Sequence, residues 1–201
     1  MRLIRNSKMK ISVRIWVIIA LSAAFVIGVG MRIYAVNQEY PQTKLIKIEK
    51  NQYEIAENQV VMRVIDTKRF SQKALQRQYG AEITDLLNEN GQEELSEHAV
   101  IAVTVLFQNN SKKAQVVDLT NIYLENVSYT NGIAPELFSM WNGTPKLEIK
   151  LKPGRTARKT LTYVIYRLQF SSRQWRQVTA DMPFYLVDQE RRYPERVCWK
   201  I

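Results

Sequence analysis

The sequence predicts a mainly β protein, in which one N-terminal transmembrane helix precedes an immunoglobulin-like antiparallel β-sandwich with a short helical insertion. Three observations favour this class: one long uncharged apolar run near the N-terminus, many short period-two segments after it, and turn residues between those segments. The length of 201 residues suits one domain with an appendage.

The apolar run extends from Ile15 to Met31 and contains no charged residue. Counted from Ile11 it would form a helix of about 31 Å, which matches a hydrocarbon core of roughly 30 Å. Cations and amphipathic aromatic residues at both ends are predicted to lie at the membrane interfaces: Arg14, Trp16, Arg32 and Tyr34. Residues 1–32 are therefore predicted to be a basic cytoplasmic N-terminus and an uncleaved signal-anchor helix.

Five basic residues precede Ile15, so the positive-inside rule places the N-terminus in the cytoplasm. The predicted location is the cell membrane, crossed once, with a stalk at residues 33–43 and an extracytoplasmic domain at residues 44–201. A cleaved signal peptide is the alternative, although the small residues Ser22-Ala23-Ala24 fall in the middle of the run. A lipoprotein is excluded because the single cysteine is Cys198.

The net charge of +10 resides largely in the N-terminal segment. Residues 1–32 contain six basic and no acidic residues, so the remainder carries only +4 and nucleic acid is not a predicted partner. One cysteine and one histidine exclude an internal disulfide, a cysteine-rich or histidine-rich metal site and an iron–sulfur cluster. No cofactor and no metal are predicted.

Period-two patterns dominate residues 44–201. Residues 99–107 (AVIAVTVLF) are apolar on both faces and predict a central strand, with Ile101, Val103, Val105 and Phe107 in the core. Residues 146–152 alternate most clearly, because Leu147, Ile149 and Leu151 share one face on what we expect to be a neighbouring strand. The turn Pro153-Gly154 predicts a hairpin with the return strand 160–166. Other strands are predicted at 44–49, 60–65, 116–119, 122–124, 184–187 and 197–201.

The predicted helical insertion covers about residues 67–98. Within it, Ser71 is a capping residue, residues 72–79 are helix formers and Gly80 is a stop signal, before an acidic loop. Leu86 has no oxygen for the first position of a calcium loop, so calcium is not predicted there. Residues 135–141 (PELFSMW) predict one helical turn, either a lid on the core or an exposed aromatic tip.

A run of landmarks carries a family resemblance: AVIAVTVLFQNNS, DLTNIYLEN, ELFSMWN, LEIKLKPGRTARKTLTYVIY and PFYLVDQERRYPERVCWKI. In this order they are similar to a family of uncharacterised exported domains of Gram-positive bacteria. The resemblance covers roughly residues 44–201 and implies a lipoprotein or anchored membrane protein with an immunoglobulin-like, telokin-like sandwich. It implies no activity and no catalytic residues, and this chain departs from lipoprotein members by having an anchor helix and no lipobox cysteine.

No catalytic constellation emerges from the residues. His98 lies among glutamates without a nucleophile motif such as G-x-S-x-G, and Cys198 is predicted to be a surface or edge-strand thiol between outward Arg196 and Lys200. Catalytic residues are therefore predicted to be absent, and the protein is predicted not to be an enzyme.

Residues 146–176 contain nine basic residues and one acid. They are either a solvated face or a surface for an anionic partner, with the candidate residues Lys146, Lys150, Lys152, Arg155, Arg158 and Lys159. Lipid headgroups, anionic wall polymers or an acidic membrane protein would fit. The predicted function is a membrane-anchored, non-enzymatic extracytoplasmic binding module. An accessory subunit of a membrane complex is the alternative, and a cell-envelope enzyme is the third hypothesis.

Overall fold

A computed structural model describes residues 13–39, 44–49, 54–55, 59–80, 82–83, 87, 97–126, 129–189 and 195–201. The chain divides into two compact units, residues 1–42 and residues 43–201. The first unit contains one helix, and the second contains all the described strands.

Helix α1 extends from Val13 to Glu39, 27 residues, and is about 40 Å long. Residues 15–39 are long and apolar enough to cross a membrane, and their side chains are exposed: Leu21 is 66% and Phe25 72% accessible. Trp16 and Tyr34 are also exposed, and 18 residues of helix separate them by about 27 Å. Arg14 and Arg32 lie on the same helix, 18 residues apart.

Residues 33–39, the first part of the predicted stalk, continue α1. A polar sequence does not end a helix by itself, and Pro41 is the first residue after Met31 that would interrupt one. Residues 40–43 and the basic residues before Val13 lie outside the described part of the chain.

A four-stranded antiparallel sheet has the order β2-β3-β4-β9. Its strands are β2 Glu54–Ile55, β3 Val60–Ser71, β4 His98–Asn109 and β9 Thr156–Tyr166. The prediction of a central strand at residues 99–107 is confirmed, since β4 pairs on both sides and Ile101, Val103, Val105 and Phe107 are fully buried.

A five-stranded sheet has the order β1-β11-β10-β6-β7. Its strands are β1 Lys44–Ile48, β6 Ile122–Asn126, β7 Tyr129–Asn131, β10 Tyr185–Asp188 and β11 Glu195–Lys200. β1 pairs in parallel with β11, and the other pairs are antiparallel. The expectation of a purely antiparallel fold is therefore wrong at β1, which reaches a partner about 150 residues later in the chain.

A third, two-stranded sheet pairs β5 Gln115–Asp118 with β8 Glu148–Leu151. The predicted hairpin is wrong: β8 pairs with β5, and β9 pairs with β4. The turn with Gly154 at φ 68° passes the chain from one sheet to another. The eleven residues of β9 form a full ladder with the twelve residues of β4, which a four-residue partner cannot match.

One hydrophobic cluster contains residues from all three sheets, including Phe107 of β4, Ile149 and Leu151 of β8, and Trp199 of β11. Leu147, Ile149 and Leu151 pack against this core. The prediction that they lie on a strand next to β4 is wrong, because β8 belongs to a separate sheet. A smaller cluster lies on the other face of the four-stranded sheet and consists of Phe70, Leu75, Ile83, Val100, Ala102, Leu137 and Val164.

Three short α-helices lie wholly within the described part of the β domain, residues 82–83 and 87 are also helical, and two 3-10 turns are Leu119–Asn121 and Arg167–Gln169. The helix prediction after Ser71 is confirmed by α2 Gln72–Tyr79, with Ser71 as N-cap and Gly80 as C-cap. The insertion begins later than predicted, because β3 continues through Ser71; its acidic part, including residues 84–86 and 88–96, lies outside the described residues. Helix α3 is Pro135–Asn142, and α4 is Ser172–Val178.

Helix α3 buries Leu137 and Phe138 and leaves Trp141 partly buried. This arrangement agrees with the core-lid interpretation of residues 135–141. Helix α4 was not predicted, although Ser171 and Gln174 form a capping box that the S-x-x-Q sequence could have indicated.

A β-bulge in β3 shifts the register between Val64 and Asp66. Because one extra residue reverses which side chains face the core, Arg69 turns inward beyond the bulge. Its guanidinium donates to the carbonyl oxygens of Met182 at 2.8 Å, Val178 at 3.3 Å and Ile201 at 3.4 Å. Burial lowers the pKa of Arg69, and Asp181 opposes that shift.

Candidate binding surface

The β8 strand presents the first part of the predicted basic surface. Ile149 and Leu151 point into the core, so Lys150 and Lys152 face solvent on the opposite side. Lys146, which precedes the strand, is also exposed.

Acidic residues reduce the positive potential on this face. Lys150 forms an exposed ion pair with Glu148 at 3.5 Å. Asp118 lies directly opposite Glu148 on β5, and Val116 lies opposite Lys150. The face around Lys150 therefore carries both signs of charge.

Two of the predicted residues lie elsewhere. Arg158 is exposed on β9 opposite Leu106, on the face of the four-stranded sheet that points away from the main core. Lys159 lies opposite the buried Val105, on the core-facing side, and is half-buried. The six candidates therefore do not form one surface.

A buried asparagine organises the end of β4. The side-chain amide of Asn109 donates to the carbonyl oxygens of Lys113 at 2.7 Å and Leu151 at 3.0 Å. Its side-chain oxygen accepts from the amide and the hydroxyl of Ser111, at 2.9 and 2.7 Å. Asn109 thus ties the loop after β4 to the end of β8.

The backbone of Asn109 also forms hydrogen bonds to the turn that contains Pro153 and Gly154. Its N–H donates to the carbonyl oxygen of Arg155 at 3.0 Å, and its own carbonyl oxygen accepts from the N–H of Gly154 at 2.9 Å. A fully buried polar side chain with four hydrogen bonds, together with these backbone bonds, fixes three chain segments in one arrangement.

These segments bring four exposed cations to one end of the domain: Lys112, Lys113, Lys152 and Arg155. We call this set the basic tip. Sequence reasoning found Lys152 and Arg155 but missed Lys112 and Lys113. The available signal was their position directly after Asn109-Asn110-Ser111, residue types that are typical of a turn.

Comparison with known families matches residues 37–196 to a domain of unknown function, DUF5028. The chain belongs to the DUF5028 family. The matched range includes Asn109 and the complete basic tip of this DUF5028 domain.

Among solved structures, a functionally unknown protein from Listeria monocytogenes EGD-e is 16% identical, with a TM-score of 0.41 over 72% of this chain and 75% of that one. The yjhA protein from Bacillus subtilis is 10% identical, with a TM-score of 0.42 over 76% and 98%. A conserved hypothetical protein from Bacillus anthracis is 15% identical, with a TM-score of 0.41 over 73% and 92%. No curated protein matches this chain.

Cys198 of the DUF5028 domain is buried, with 2% of its surface accessible, so the prediction of a surface or edge thiol is wrong. Its strand β11 lies between β1 and β10 instead of at an edge. Arg196 reaches across β10 to pair with Glu125 on β6, and Lys47 lies 5.8 Å from the ring centroid of Tyr185, so long side chains cover this face. Burial raises the pKa of the Cys198 thiol.

His98 and two tyrosines have buried polar groups in the DUF5028 domain. The hydroxyl of Tyr129 donates to the carbonyl oxygen of Val164 at 2.7 Å, and that of Tyr163 donates to the carbonyl oxygen of Ile122 at 3.1 Å. Burial raises the pKa of both tyrosines. These two hydroxyls connect the four-stranded and five-stranded sheets.

Among the described residues, no group of three or more His, Cys, Asp or Glu side chains could hold a metal ion.

Proposed function

We propose that this DUF5028 protein is a non-enzymatic binding module held at the outer face of the cell membrane, where it recognises an anionic partner. In this proposal α1 crosses the bilayer with the N-terminus in the cytoplasm. The domain at residues 43–201 is then an exported one, of the kind that the sequence landmarks resemble in Gram-positive bacteria.

The exposed apolar surface of α1 supports the anchor. A helix with side chains such as Leu21 and Phe25 uncovered exposes far more apolar surface to water than soluble monomers usually do. Lipid would cover that surface, and the spacing of about 27 Å from Trp16 to Tyr34 suits aromatic residues at the two interfaces.

Packing across the main core supports an immunoglobulin-like sandwich. Residues from the four-stranded and five-stranded sheets share one cluster, as the inner faces of a sandwich do. The hydroxyl bonds of Tyr129 and Tyr163 join the same two layers. The parallel pairing of β1 with β11 is a variation on that plan.

The basic tip is the observation that carries the binding function. Its cations extend from backbone that Asn109 holds in place, so fewer loop conformations are lost when a partner binds. Adjacent cations attract polyanions, and their effect weakens with salt.

The topology predicts that a C-terminal epitope after Ile201 is outside the cell. Protease added to intact cells from which the wall has been removed should digest the epitope, whereas an epitope before Arg2 should be digested only after lysis. Protection of the C-terminal epitope in intact cells would contradict the proposed orientation. A mature N-terminus near residue 36 would show cleavage and remove the anchor.

Binding to an anionic surface is the second expected result. The full chain, held in phosphatidylcholine nanodiscs, should capture vesicles containing phosphatidylglycerol and release them at about 1 M salt, where the Debye length is roughly 3 Å. Pure phosphatidylcholine vesicles and empty nanodiscs are the controls. Absence of capture at low salt would refute the anionic-binding proposal, and stoichiometric copurification with one membrane protein would then favour the accessory-subunit hypothesis.

A further inference from the structure

We propose that the basic tip docks on anionic phospholipid headgroups of the bilayer that α1 crosses. This inference rests on the proposed function and names its partner. Its basis is that the chain enters the β domain on the side where the tip lies.

Contacts between the two large sheets show which of their ends lie together. Arg69, near the end of β3, bonds the carbonyl oxygen of Ile201, which directly follows β11. Tyr129, at the start of β7, bonds the carbonyl oxygen of Val164 on β9. One end of the five-stranded sheet contains Ile201 and Tyr129. This end therefore packs against the part of the four-stranded sheet around Arg69 and Val164.

The part of the four-stranded sheet around Arg69 and Val164 is far from the basic tip. Arg69 pairs with Ile101, and Ile101 pairs with Tyr163, so Arg69 and Val164 lie at nearly the same height in the four-stranded sheet. Asn109 is eight residues beyond Ile101 along β4, or about 26 Å. The basic tip therefore lies at the other end of the four-stranded sheet.

The first strand begins on the side of the tip. β1 runs parallel to β11, with Lys44 opposite Glu195 and Ile48 opposite Trp199. Lys44 is therefore at the end of the five-stranded sheet remote from Ile201. Because Ile201, at the opposite end of this sheet, contacts Arg69 far from the tip, we infer that Lys44 lies on the side of Asn109.

Chain length then restricts the distance from the anchor. Residues 40–43 separate Glu39 from Lys44, and five residue steps reach at most about 18 Å. Residues 35–39 of α1, beyond the proposed interface residue Tyr34, add about 7 Å, so the connection is short enough for the entry side, where the tip lies, to reach the headgroups. A Debye length of about 8 Å at physiological salt requires such proximity for attraction.

The chemistry of the tip suits phosphodiester headgroups. Lysine ammonium groups act as point charges for phosphate, and the guanidinium of Arg155 can bind two phosphate oxygens. Each basic residue near an anionic membrane contributes about fivefold in affinity. Lys112, Lys113 and Lys152 are exposed and form no hydrogen bond or ion pair through their side chains within the described residues.

Charge reversal at the tip tests the assignment in the nanodisc assay. The variant Lys112→Glu/Lys113→Glu/Lys152→Glu should weaken capture of phosphatidylglycerol vesicles by at least about 100-fold. The matched variant Lys146→Glu/Arg173→Glu/Arg176→Glu has the same net charge and should retain binding within about fivefold. Circular dichroism of both variants shows whether they fold as the wild type does.

A probe at the tip tests contact with the protein's own membrane without charge reversal. An environment-sensitive dye on Ala114→Cys should shift to the blue in nanodiscs with phosphatidylglycerol and return at high salt. The same dye on Gln169→Cys, exposed at the remote end of β9, should not respond. The buried Cys198 is protected from the label.

The outcomes separate the inference from the proposed function. If wild-type protein captures no anionic vesicles, both fail. If it captures them but the tip variant binds equally well, or the probe at residue 114 responds no more than that at 169, the inference fails and the proposed function stands. Loss of capture in both reversal variants would show a dependence on net charge and would also overturn the tip assignment.

Discussion

Val105→Asp is expected to unfold the β domain. Val105 is fully buried at the centre of β4, with Val64 and Lys159 opposite it on the two neighbouring strands. An aspartate there would lose nearly all of its hydration, and attraction to the half-buried Lys159 would offset only part of that cost; otherwise it would take up a proton at a high free-energy cost. A loss above about 4 kcal/mol is comparable with the whole stability of an ordinary domain. Loss of the β signal in circular dichroism of the full chain in non-ionic detergent is the measurement.

Lys150→Asp is the matched control, because it also introduces an aspartate into a strand. Lys150 is exposed, and its ion pair with Glu148 is a surface pair, so the free energy of unfolding should change by no more than about 1 kcal/mol. Equal destabilisation by both substitutions would contradict the burial assigned to β4.

Trp199→Ala is expected to have the second-largest effect. Trp199 is fully buried in the main core, and large-to-small substitution of such a residue costs about 3–5 kcal/mol through lost burial and the cavity left behind. Urea unfolding followed by circular dichroism should show a lower midpoint with an unchanged slope.

Two comparisons make this result specific. The indole N–H of Trp199 has no hydrogen-bond partner in the part of the chain that the structure describes, so Trp199→Phe loses volume but no hydrogen bond and should cost less than Trp199→Ala. Lys200→Ala, on the solvent side of the same strand, should be nearly neutral. A loss in Lys200→Ala as large as that in Trp199→Ala would show that β11 itself, rather than the buried indole, determines the effect.

Sequence periodicity identified the strands that are buried either on both faces or on one face only. The residues of β4 are apolar on both faces because helices cover one face and the main core covers the other, and Ile149 and Leu151 alternate with lysines because only one face of β8 is covered. Capping chemistry located α2, since Ser71 and Gly80 act within one helix. These signals are local.

Pairing between strands was harder to predict because it depends on residues distant in sequence. The Pro153-Gly154 turn is compatible with a hairpin, and only the availability of β4 and β5 as partners shows that β8 and β9 separate. Cys198 has an alternating pattern typical of an edge strand, yet β1 and long side chains cover it. The inward turn of Arg69 depends on one bulged residue in β3.

The basic tip was also only partly predictable, because its residues are distant in sequence. Lys152 and Arg155 were recognised as members of a basic segment, but their neighbours Lys112 and Lys113 are about forty residues earlier in the chain. A hydrogen bond from Asn109 to Leu151 joins the two regions, and no spacing rule indicates it. Charge counting therefore located half of the tip, and the fold determined which cations share a surface.

The position of β11 between β1 and β10 has a consequence for biosynthesis. Because β11 separates the strand that begins at Lys44 from the rest of its sheet, that sheet cannot close until residues 195–200 have left the ribosome. Contacts of such long sequence separation form late and slowly. β1 therefore remains unpaired while the roughly 150 residues between it and its partner are synthesised, so the nascent chain should stay open enough to pass through a translocation channel and prone to capture by chaperones until β11 emerges.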